Sequence, residues 1–435
     1  MKKTVNLCVN EKLMNEDFLQ FIWRFGLFNK DSAKTTDNQN ITILNLGIIN
    51  KDSGPDFFNA KVKIGKIIWA GNIEIHINAS DWKRHKHNHD KSYDNVILHV
   101  VKNADCDIFR SDGSKIPIFK IQYDSTLEKR YDELLASKTW IACQNYISDM
   151  ELFKVKHFLS RMMVERLEQR SSHINKILAD TKNDFKEVFY RLLFRSFGFG
   201  TNTLPFELLA QSTPIVAINK HRDSVFQMEA LLFGQAGFLN EAPVDDYQSQ
   251  LQKEYKFLQN KFELKPVEKH LWKFMRLRPT NFPTVRIAQL AKFLTQTDGL
   301  LAKIMASEKP DELNSFFEFS ASEYWDTHYN FGKSTNKRIK SFGKKSAEKI
   351  IINLVAPYLF AYGKAKGEER FSEKAFDLLE IIPPEKNNII TGWKNAGVKI
   401  ENAFYSQSLI QLKTAYCDNK QCLKCVIGKN IIDKK

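Results

Sequence analysis

The 435-residue chain has few cysteines, glycines and prolines, and it lacks a long apolar run. Six cysteines are too few for the disulfide framework of a secreted protein, and 18 glycines with 12 prolines are too few for a fibrous chain. The longest apolar run, Ile350 to Tyr362, is interrupted by Asn353 and Pro357 and is shorter than the roughly 20 residues that span a bilayer. We therefore expect a globular protein in the reducing cytoplasm, without a membrane partner.

Acidic residues are in the minority, with 51 Asp and Glu against 65 Lys and Arg, so the formal charge is +14. A basic excess favours a polyanionic partner, because Lys and Arg gain affinity by releasing counterions from phosphates. The segment 331–350 contains seven Lys or Arg residues and one acid. We predict that five of them contact DNA or RNA: Lys337, Arg338, Lys340, Lys344 and Lys345. An ordinary solvated surface is the alternative, and the sequence identifies no protein partner.

The hydrophobic pattern changes once along the chain. Residues 1–125 alternate between helix-like and strand-like segments, whereas later apolar residues recur at helical spacing. The pattern predicts an α/β domain over residues 1–125, followed by a mainly α-helical region with domains at 126–284 and 285–435.

Within the α/β domain we predict the order α, β, β, β, α, β. The first helix carries acidic residues in its first turn and apolar residues at helical spacing. A Gly65-Lys66 turn joins the second and third strands as a hairpin. The last strand is almost wholly apolar, which is typical of a strand buried on both faces. The predicted elements are helix 15–27, strands 41–49, 56–64 and 67–77, helix 80–93 and strand 95–101.

Polar residues that bind metals are concentrated in this domain. On strand 67–77, alternation places Glu74 and His76 on one face of the sheet. If the hairpin turns at Gly65-Lys66, Asp56 lies beside Glu74 and Ile75 on the neighbouring strand. Strict alternation does not place Asp56 on that face, so we expect a kink after Pro55. Two carboxylates near an imidazole suit Mg²⁺ or Mn²⁺ with free positions for a phosphate.

The order of elements around Gly54-Pro55-Asp56 and Glu74-Ile75-His76 resembles the PD-(D/E)xK nuclease superfamily over about residues 14–102. The resemblance implies that Asp56 and Glu74 hold a metal, and that the Ile75 carbonyl completes its site. It also implies that Glu16 reaches a second metal or an outer water. His76 stands where that superfamily has the lysine that orients or activates the attacking water, and we predict that its imidazole is a catalytic residue, acting as base or ligand. The resemblance implies a metal-dependent nuclease in which water attacks phosphorus and leaves a 5′-phosphate.

Nearly the whole chain also resembles an uncharacterised bacterial family, a domain of unknown function. The motifs that carry this resemblance are Ser53-Gly54-Pro55-Asp56-Phe57, Gly71-Asn72-Ile73-Glu74-Ile75-His76, Ser80-Asp81-Trp82, residues 95–101 and the last three cysteines. This second resemblance covers more of the chain but implies no function.

Five of the ten histidines lie within 24 residues: His76, His85, His87, His89 and His99. If 80–93 is helical, His85 and His89 lie one turn apart, on a stripe with Tyr93, and we predict that these three contact the substrate. Two alternatives to the nuclease remain open. In the first, the protein binds nucleic acid without cleaving it, because its nuclease site has decayed. In the second, it is a metalloenzyme that acts on a small molecule, with His85 and His89 as the primary metal ligands.

The cysteines near the end of the chain have the spacing of a metal site. Cys417, Cys422 and Cys425 form a C-x₄-C-x₂-C pattern, and Cys143 is the predicted fourth ligand. Four thiolates bind either Zn²⁺ or an iron-sulfur cluster, and we favour structural Zn²⁺ because the proposed hydrolysis needs no electron transfer. A group of reduced thiols without a metal is the alternative.

Overall fold

The computed structural model of this protein describes residues 16–149, 152–307 and 310–434. The chain forms two compact units: residues 1–155 with 413–435, and residues 156–412. The three-domain division predicted from the sequence differs from this grouping and stays a prediction. Within the described residues no helix is long and apolar enough to cross a membrane.

The first unit is built on a mixed sheet with helices against it, and this confirms the predicted α/β fold class. Neighbouring strands pair in the order β1, β3, β4, β5, β6, and β2 pairs with β3. The pairs β1–β3, β2–β3 and β3–β4 are antiparallel, whereas β4–β5 and β5–β6 are parallel. The elements are α1 (Glu16–Phe25), β1 (Ile41–Asn45), β2 (Ile48–Ile49), β3 (Phe57–Ile64), β4 (Ile67–Asn78), α2 (Asp81–Arg84), β5 (Val96–Asn103), β6 (Ile118–Lys120) and α3 (Ser125–Ala136).

The hairpin between β3 and β4 turns at Gly65-Lys66, as predicted. Ile64 pairs with Ile67 and Ala60 pairs with Gly71, but further along the ladder Phe57 pairs with Ile73. A β-bulge therefore lies between Phe57 and Ala60, where Asn59 adopts a left-handed φ of 56°. The bulge leaves Phe57 and Ala60 buried on one face, although they are three positions apart.

Strands β4 and β5 approach closely because Gly71 has no side chain. A Cβ atom at Gly71 would lie 2.5 Å from the carbonyl oxygen of Asn95 and equally close to Ile97. Strand β5 is buried from Val96 to Val101, as its apolar sequence predicted. The close pairing sets Glu74 opposite His99 in the parallel register. Glu74 and His99 therefore lie on the same face of the sheet.

The segment 413–435 belongs to the first unit. Its last helix, α18 (Val426–Ile432), packs on α3, and the short 3₁₀ turn Cys422–Lys424 contacts α1. Arg130 on α3 donates a hydrogen bond to the Ile432 carbonyl at 3.1 Å. The end of the chain is therefore held against the α/β unit.

The second unit is mainly helical, as predicted, and its described residues include a short β-hairpin. Apolar stripes such as Val188, Phe189, Leu192 and Leu193 are buried in its core. A π-helix, Ile351–Val355, joins α13 (Lys344–Ile350) and α14 (Ala356–Lys366) into one continuous helix. The elements from 152 onward, in chain order up to the segment just described, are α4 (Leu152–Asp180), α5 (Phe185–Phe197), α6 (Thr203–Ser212), α7 (Ile215–Lys220), α8 (Val225–Gln235), α9 (Asp246–Phe262), α10 (Pro283–Gln296), α11 (Leu300–Ala306), α12 (Pro310–Ser315), β7 (His328–Asn330), β8 (Lys333–Ser334), α13 (Lys344–Ile350), α14 (Ala356–Lys366), α15 (Glu369–Ile381), α16 (Asn388–Asn395) and α17 (Ala403–Gln411).

Candidate metal centre

The β3 bulge brings Asp56 and Glu74 to the same side of the sheet. Without the bulge, the hairpin register would set Asp56 opposite Ile75, whose side chain is in the core. The kink that the sequence required is thus at Phe58–Asn59 and not after Pro55. The backbone N–H of Asp56 donates to Glu74 Oε2 at 3.0 Å, and the N–H of Ile75 donates to Asp56 Oδ2 at 3.0 Å.

Strand β4 extends beyond the end of β3, and there two carboxylates accept hydrogen bonds from its backbone N–H groups. Asp56 accepts from Ile75, and Glu16 on α1 accepts from the N–H of Ile77. A strand residue directs its N–H and C=O to the same side, so the Ile75 carbonyl leaves β4 toward these carboxylates. Gln20, one turn after Glu16, donates from Nε2 to Asp56 Oδ1 at 2.8 Å. The four residues predicted around the metal therefore lie together, and Gln20 is an addition that the sequence did not suggest.

Three imidazoles converge beside the carboxylates. His76 on β4, His85 and His87 each offer a nitrogen, and these atoms all lie within 4.8 Å of one another. Glu74 Oε1 lies 3.4 Å from His76 Nε2 and 3.5 Å from His87 Nε2. His76 is 2% exposed and Glu74 5% exposed, whereas His85 is open to solvent. Glu74 thus lies between a carboxylate cluster and an imidazole cluster, and the site is reached from the His85 side.

A second layer of residues orients His76. Its Nδ1 lies 2.8 Å from His99 Nε2, while its Nε2 lies 3.1 Å from His85 Nδ1. The tautomer that donates Nδ1–H to His99 leaves Nε2 as an electron-pair donor facing Glu74 and His85. Such a hydrogen bond from the far ring nitrogen is the usual support of a metal-binding histidine. The buried ring of Trp82 packs edge-on against both His87 and His99.

The segment after β4 departs from the predicted continuous helix 80–93. Helix α2 ends at Arg84, and Lys86 adopts a left-handed φ of 63° that redirects the chain. The 3₁₀ turn that follows brings His87 back over β4, while His89 is exposed and lies 3.0 Å from the Asn88 side chain. The predicted pairing of His85 with His89 is wrong: His87 joins His85, because the chain bends between them.

Tyr93 is buried instead of lining an open cleft. Its ring stacks on His87 with the centroids 3.8 Å apart, and it also contacts Trp82. Burial raises the pKa of Tyr93 to about 12. Tyr93 therefore holds His87 in place, which differs from the substrate contact predicted for it.

Burial controls the protonation of the cluster. It raises the pKa of Glu74 to about 9 and that of Asp56 to about 7, and each carboxylate is further affected by neighbouring negative charge. Burial lowers the pKa of His76 to about 2 and that of His87 to about 4, with further lowering by neighbouring imidazoles. Desolvation favours the neutral form of every one of these groups. Near neutral pH the imidazoles of His76 and His87 are therefore neutral, and the Glu74 carboxyl group is protonated.

The donor atoms indicate which cation the cluster suits. Among the described residues, His76, His85 and His87 form the group of three close ligand atoms, and the carboxylates do not form one. Imidazole suits Zn²⁺ and other transition metals, whereas Mg²⁺ takes carboxylate, carbonyl and water oxygens. Three imidazoles beside Glu74 thus fit a transition metal better than the Mg²⁺ that the sequence suggested.

Four of the five predicted nucleic-acid contacts are exposed: Lys337, Arg338, Lys344 and Lys345. They are called the exposed basic set below. Lys340 departs from the prediction, because its side chain is 3% exposed. Its ammonium group donates to the carbonyls of Asp326 at 3.0 Å and Arg338 at 2.8 Å and lies over the ring of Tyr329. Lys340 therefore stabilises the loop between β8 and α13 instead of facing solvent.

The four predicted cysteine ligands belong to the same compact unit and influence one another. Burial, and then the neighbouring thiols of Cys425 and Cys422, raise the pKa of Cys143 to about 12. Burial, and then the thiols of the other three cysteines, also raise the pKa of Cys417. The backbone N–H groups of Gly428 and Ile427 donate to the Cys425 sulfur. In the described part of the chain these sulfurs do not form a group of three within 4.8 Å, so the metal at this site stays a prediction.

A comparison with protein families identifies the chain by sequence. A family described as "Protein of unknown function (DUF2851)" matches residues 16–388. The chain belongs to this family, which confirms the resemblance carried by its sequence motifs. No curated protein and no solved structure matches the chain. The family carries no activity with it, and the nuclease resemblance stays a prediction.

Proposed function

We propose that the α/β unit is a metal-dependent phosphodiester hydrolase acting on DNA or RNA in the cytoplasm. The observation that carries the proposal is the convergence of His76, His85 and His87 on Glu74, beside Asp56. The element order supports it, because α1, β1 to β4, α2 and β5 follow the α, β, β, β, α, β order that the nuclease resemblance implies, with the predicted strand 41–49 divided into β1 and β2. The free cysteines of the described residues suit the reducing compartment.

In the described part of the chain, no Lys or Arg forms an ion pair with the carboxylates of Asp56 or Glu74. Glu74 is buried and Asp56 is half-buried. Two such carboxylates without a counter-charge are costly, and the raised pKa values express that cost. A divalent cation would remove the cost by replacing the protons. The arrangement is therefore more easily explained as a cation site than as a structural feature of the sheet.

Each residue of the site has a separate role in the proposed hydrolysis. His76, His85, His87 and Glu74 would hold a divalent transition metal, with Zn²⁺ the best match to three imidazoles. Such an ion, when bound, stabilises negative charge on a phosphoryl oxygen and acidifies water. Asp56 positions Glu74 through its own backbone N–H. Glu16, whose pKa is raised by burial, accepts the proton that the attacking water gives up.

In the proposed reaction, water adds to phosphorus, the bond to the 3′ oxygen breaks, and the products carry a 5′-phosphate and a 3′-hydroxyl. The access side of the site, at His85, is the part that a phosphodiester can reach. The exposed basic set would supply sequence-independent affinity for the phosphate backbone. The proposal names no sequence preference.

The test is cleavage of labelled single- and double-stranded DNA and RNA with Zn²⁺, Mn²⁺ or Mg²⁺ added to chelator-treated protein. Glu74→Gln and Asp56→Asn each remove a charge while preserving shape. We expect Glu74→Gln to lower the cleavage rate by at least about 100-fold, the loss typical of a group that stabilises transition-state charge. Asp56→Asn keeps the backbone N–H that positions Glu74, so we expect it to lower the rate less. Asp52→Asn is the matched control, because Asp52 is exposed and lies in the same loop as Asp56.

Wild-type protein that binds nucleic acid but cleaves none of these substrates with any of the three metals would refute the hydrolase. It would favour the decayed site with a binding role. Equal cleavage by wild type and Glu74→Gln would place the activity elsewhere in the preparation.

The three imidazoles favour one other candidate, a metalloenzyme acting on a small molecule. Three histidines with one carboxylate are typical of transition-metal hydrolases, and this set includes His87 in place of the predicted His89. Bound zinc, hydrolysis of bis(p-nitrophenyl) phosphate and no affinity for nucleic acid would support this candidate against the nuclease.

A further inference from the structure

The helical unit contains a cavity far in sequence from the metal centre and built from different residues. Its volume is about 530 Å³, within the range of small-molecule sites. Side chains from α4, α5 and the loop after α5 form one part of its wall. The continuous helix formed by α13, the π-helix and α14 forms another part. All of these residues lie in one compact unit.

A proline inside the continuous helix accounts for the shape of this wall. Pro357 has no N–H to donate to the carbonyl of Asn353, four residues earlier, and the π-helix Ile351–Val355 accommodates the missing bond. The released Asn353 carbonyl lies 3.5 Å from Arg170 Nη1, and its side-chain Oδ1 accepts from Arg170 Nη2 at 2.8 Å. The widened turn therefore anchors the guanidinium group of Arg170 at the cavity.

The charged residues that line the cavity are mostly cationic. Arg170, Arg195 and Lys349 line it together with one carboxylate, Glu385. Glu385 is already a hydrogen-bond acceptor, because Gln407 donates to its Oε2 at 2.6 Å and Asn353 lies 3.3 Å from its Oε1. Arg195 also forms an ion pair with Glu207, which lies outside the lining, so the lining together with this partner has a formal charge of +1. The cations left for a ligand are Arg170 and Lys349, and a cavity with this charge attracts an anion.

Two further features point to a ligand with polar and apolar parts. Ile174, Leu192 and Phe199 supply an apolar portion of the lining. Phe199 is held in a left-handed conformation, with φ of 43°, and Arg286 lies 4.2 Å from its ring centroid. His173 also lines the cavity, and its Nε2 is shielded from solvent without a hydrogen-bond partner. An unsatisfied buried nitrogen is uncommon and is costly unless another molecule satisfies it.

We propose that this cavity binds a small phosphorylated molecule of the size of a nucleoside monophosphate. Arg170 and Lys349 contact the phosphate, because guanidinium forms two parallel hydrogen bonds to phosphate and ammonium supplies a mobile point charge. The apolar portion with Phe199 contacts the base. This site is independent of the proposed hydrolase, since it shares no residue with the metal centre.

The experiment measures thermal stability and calorimetric binding with an equimolar mixture of AMP, GMP, CMP and UMP. The corresponding nucleosides and inorganic phosphate are measured separately. We expect the monophosphates to raise the melting temperature and the nucleosides to bind at least about tenfold more weakly, because the nucleosides lack the charged hydrogen bonds of the phosphate group. If inorganic phosphate also binds, in addition to the monophosphates, this supports the assignment of Arg170 and Lys349 to the phosphate group.

Two variants locate the site. Lys349→Gln alters an exposed side chain that lines the cavity, and we expect it to weaken monophosphate binding at least about tenfold. Arg170→Gln should weaken binding similarly, but it also removes the side chain that holds the π-helix at Asn353. The circular dichroism spectra of this variant and of wild type are therefore compared first, to check that the fold is kept. Lys366→Gln is the matched control, because Lys366 is exposed on α14 and does not line the cavity.

Unchanged affinity in Lys349→Gln, or no binding of the monophosphate mixture at millimolar concentration, overturns the proposal. A 5′-phosphorylated dinucleotide that binds more tightly than every monophosphate overturns it as well, since the site would then serve a nucleic-acid end.

Discussion

The pH dependence of stability in the metal-free protein is the most direct test of the buried Glu74 carboxyl. The pKa of Glu74 is raised from 4.5 to about 9, so the folded protein keeps a proton that the unfolded chain has lost. Because the folded state binds more protons, its stability must fall as pH rises through this interval. The carboxylate thus destabilises the metal-free fold at alkaline pH.

Glu74 is the main titrating group of the cluster between pH 7 and 8.5. Asp56, whose pKa burial raises to about 7, loses the rest of its proton near the lower end of this interval. The imidazoles of His76 and His87 are neutral in both states above the unfolded value of 6.5. One carboxyl group then contributes a slope of about 1.4 kcal/mol per pH unit, so the α/β unit should become less stable by about 2 kcal/mol across the interval.

The perturbation is Glu74→Gln, which removes the titrating group and should flatten this slope. The free energy of opening is measured in chelator by native-state hydrogen exchange of peptides covering β4, which follows the α/β unit separately from the helical unit. Glu133→Gln changes an exposed glutamate and should leave the slope as in wild type. A flat wild-type profile, or the same slope in Glu74→Gln, would refute the argument that this carboxyl is held protonated by burial.

Three other results are expected. His87→Ala should weaken zinc binding by at least about tenfold while His89→Ala leaves it unchanged, measured by competition with a chromogenic chelator; equal effects would remove His87 from the site. Changing the exposed basic set to glutamine should reduce the slope of log affinity for DNA against log salt by about 0.9 for each phosphate that the variant no longer neutralises, measured by fluorescence anisotropy, and an unchanged slope would make these residues ordinary surface. Cys143→Ser should lower the zinc or iron content of anaerobically purified protein, measured by elemental analysis, while Cys106→Ser does not; full metal content in Cys143→Ser would exclude it as a ligand.

The sequence predicted the parts of the fold that depend on local periodicity. The turn at Gly65-Lys66, the alternation around Glu74 and the apolar strand β5 all follow from the side-chain period of two. These elements were enough to bring Glu74 and His76 together.

The parts that were missed depend on single residues with left-handed backbone. Asn59 and Lys86 both have positive φ, and neither position is marked by glycine. A non-glycine residue with a left-handed backbone conformation is uncommon, so predictions based on alternation or on helical spacing do not include it. The location of the kink and the inclusion of His87 in place of His89 were therefore beyond periodicity arguments. Lys340 was missed for a different reason, because its burial depends on carbonyl groups that the fold brings to it.

The bulge in β3 makes the metal centre depend on the backbone conformation of one residue, Asn59. In a uniform hairpin of the same length, Asp56 would lie opposite Ile75 and turn toward the core side, away from Glu74. Every residue of the centre would still be present in the sequence. A β-branched residue disfavours the positive φ that Asn59 adopts in the bulge, so a substitution at this position is able to abolish the site without any change to a ligand.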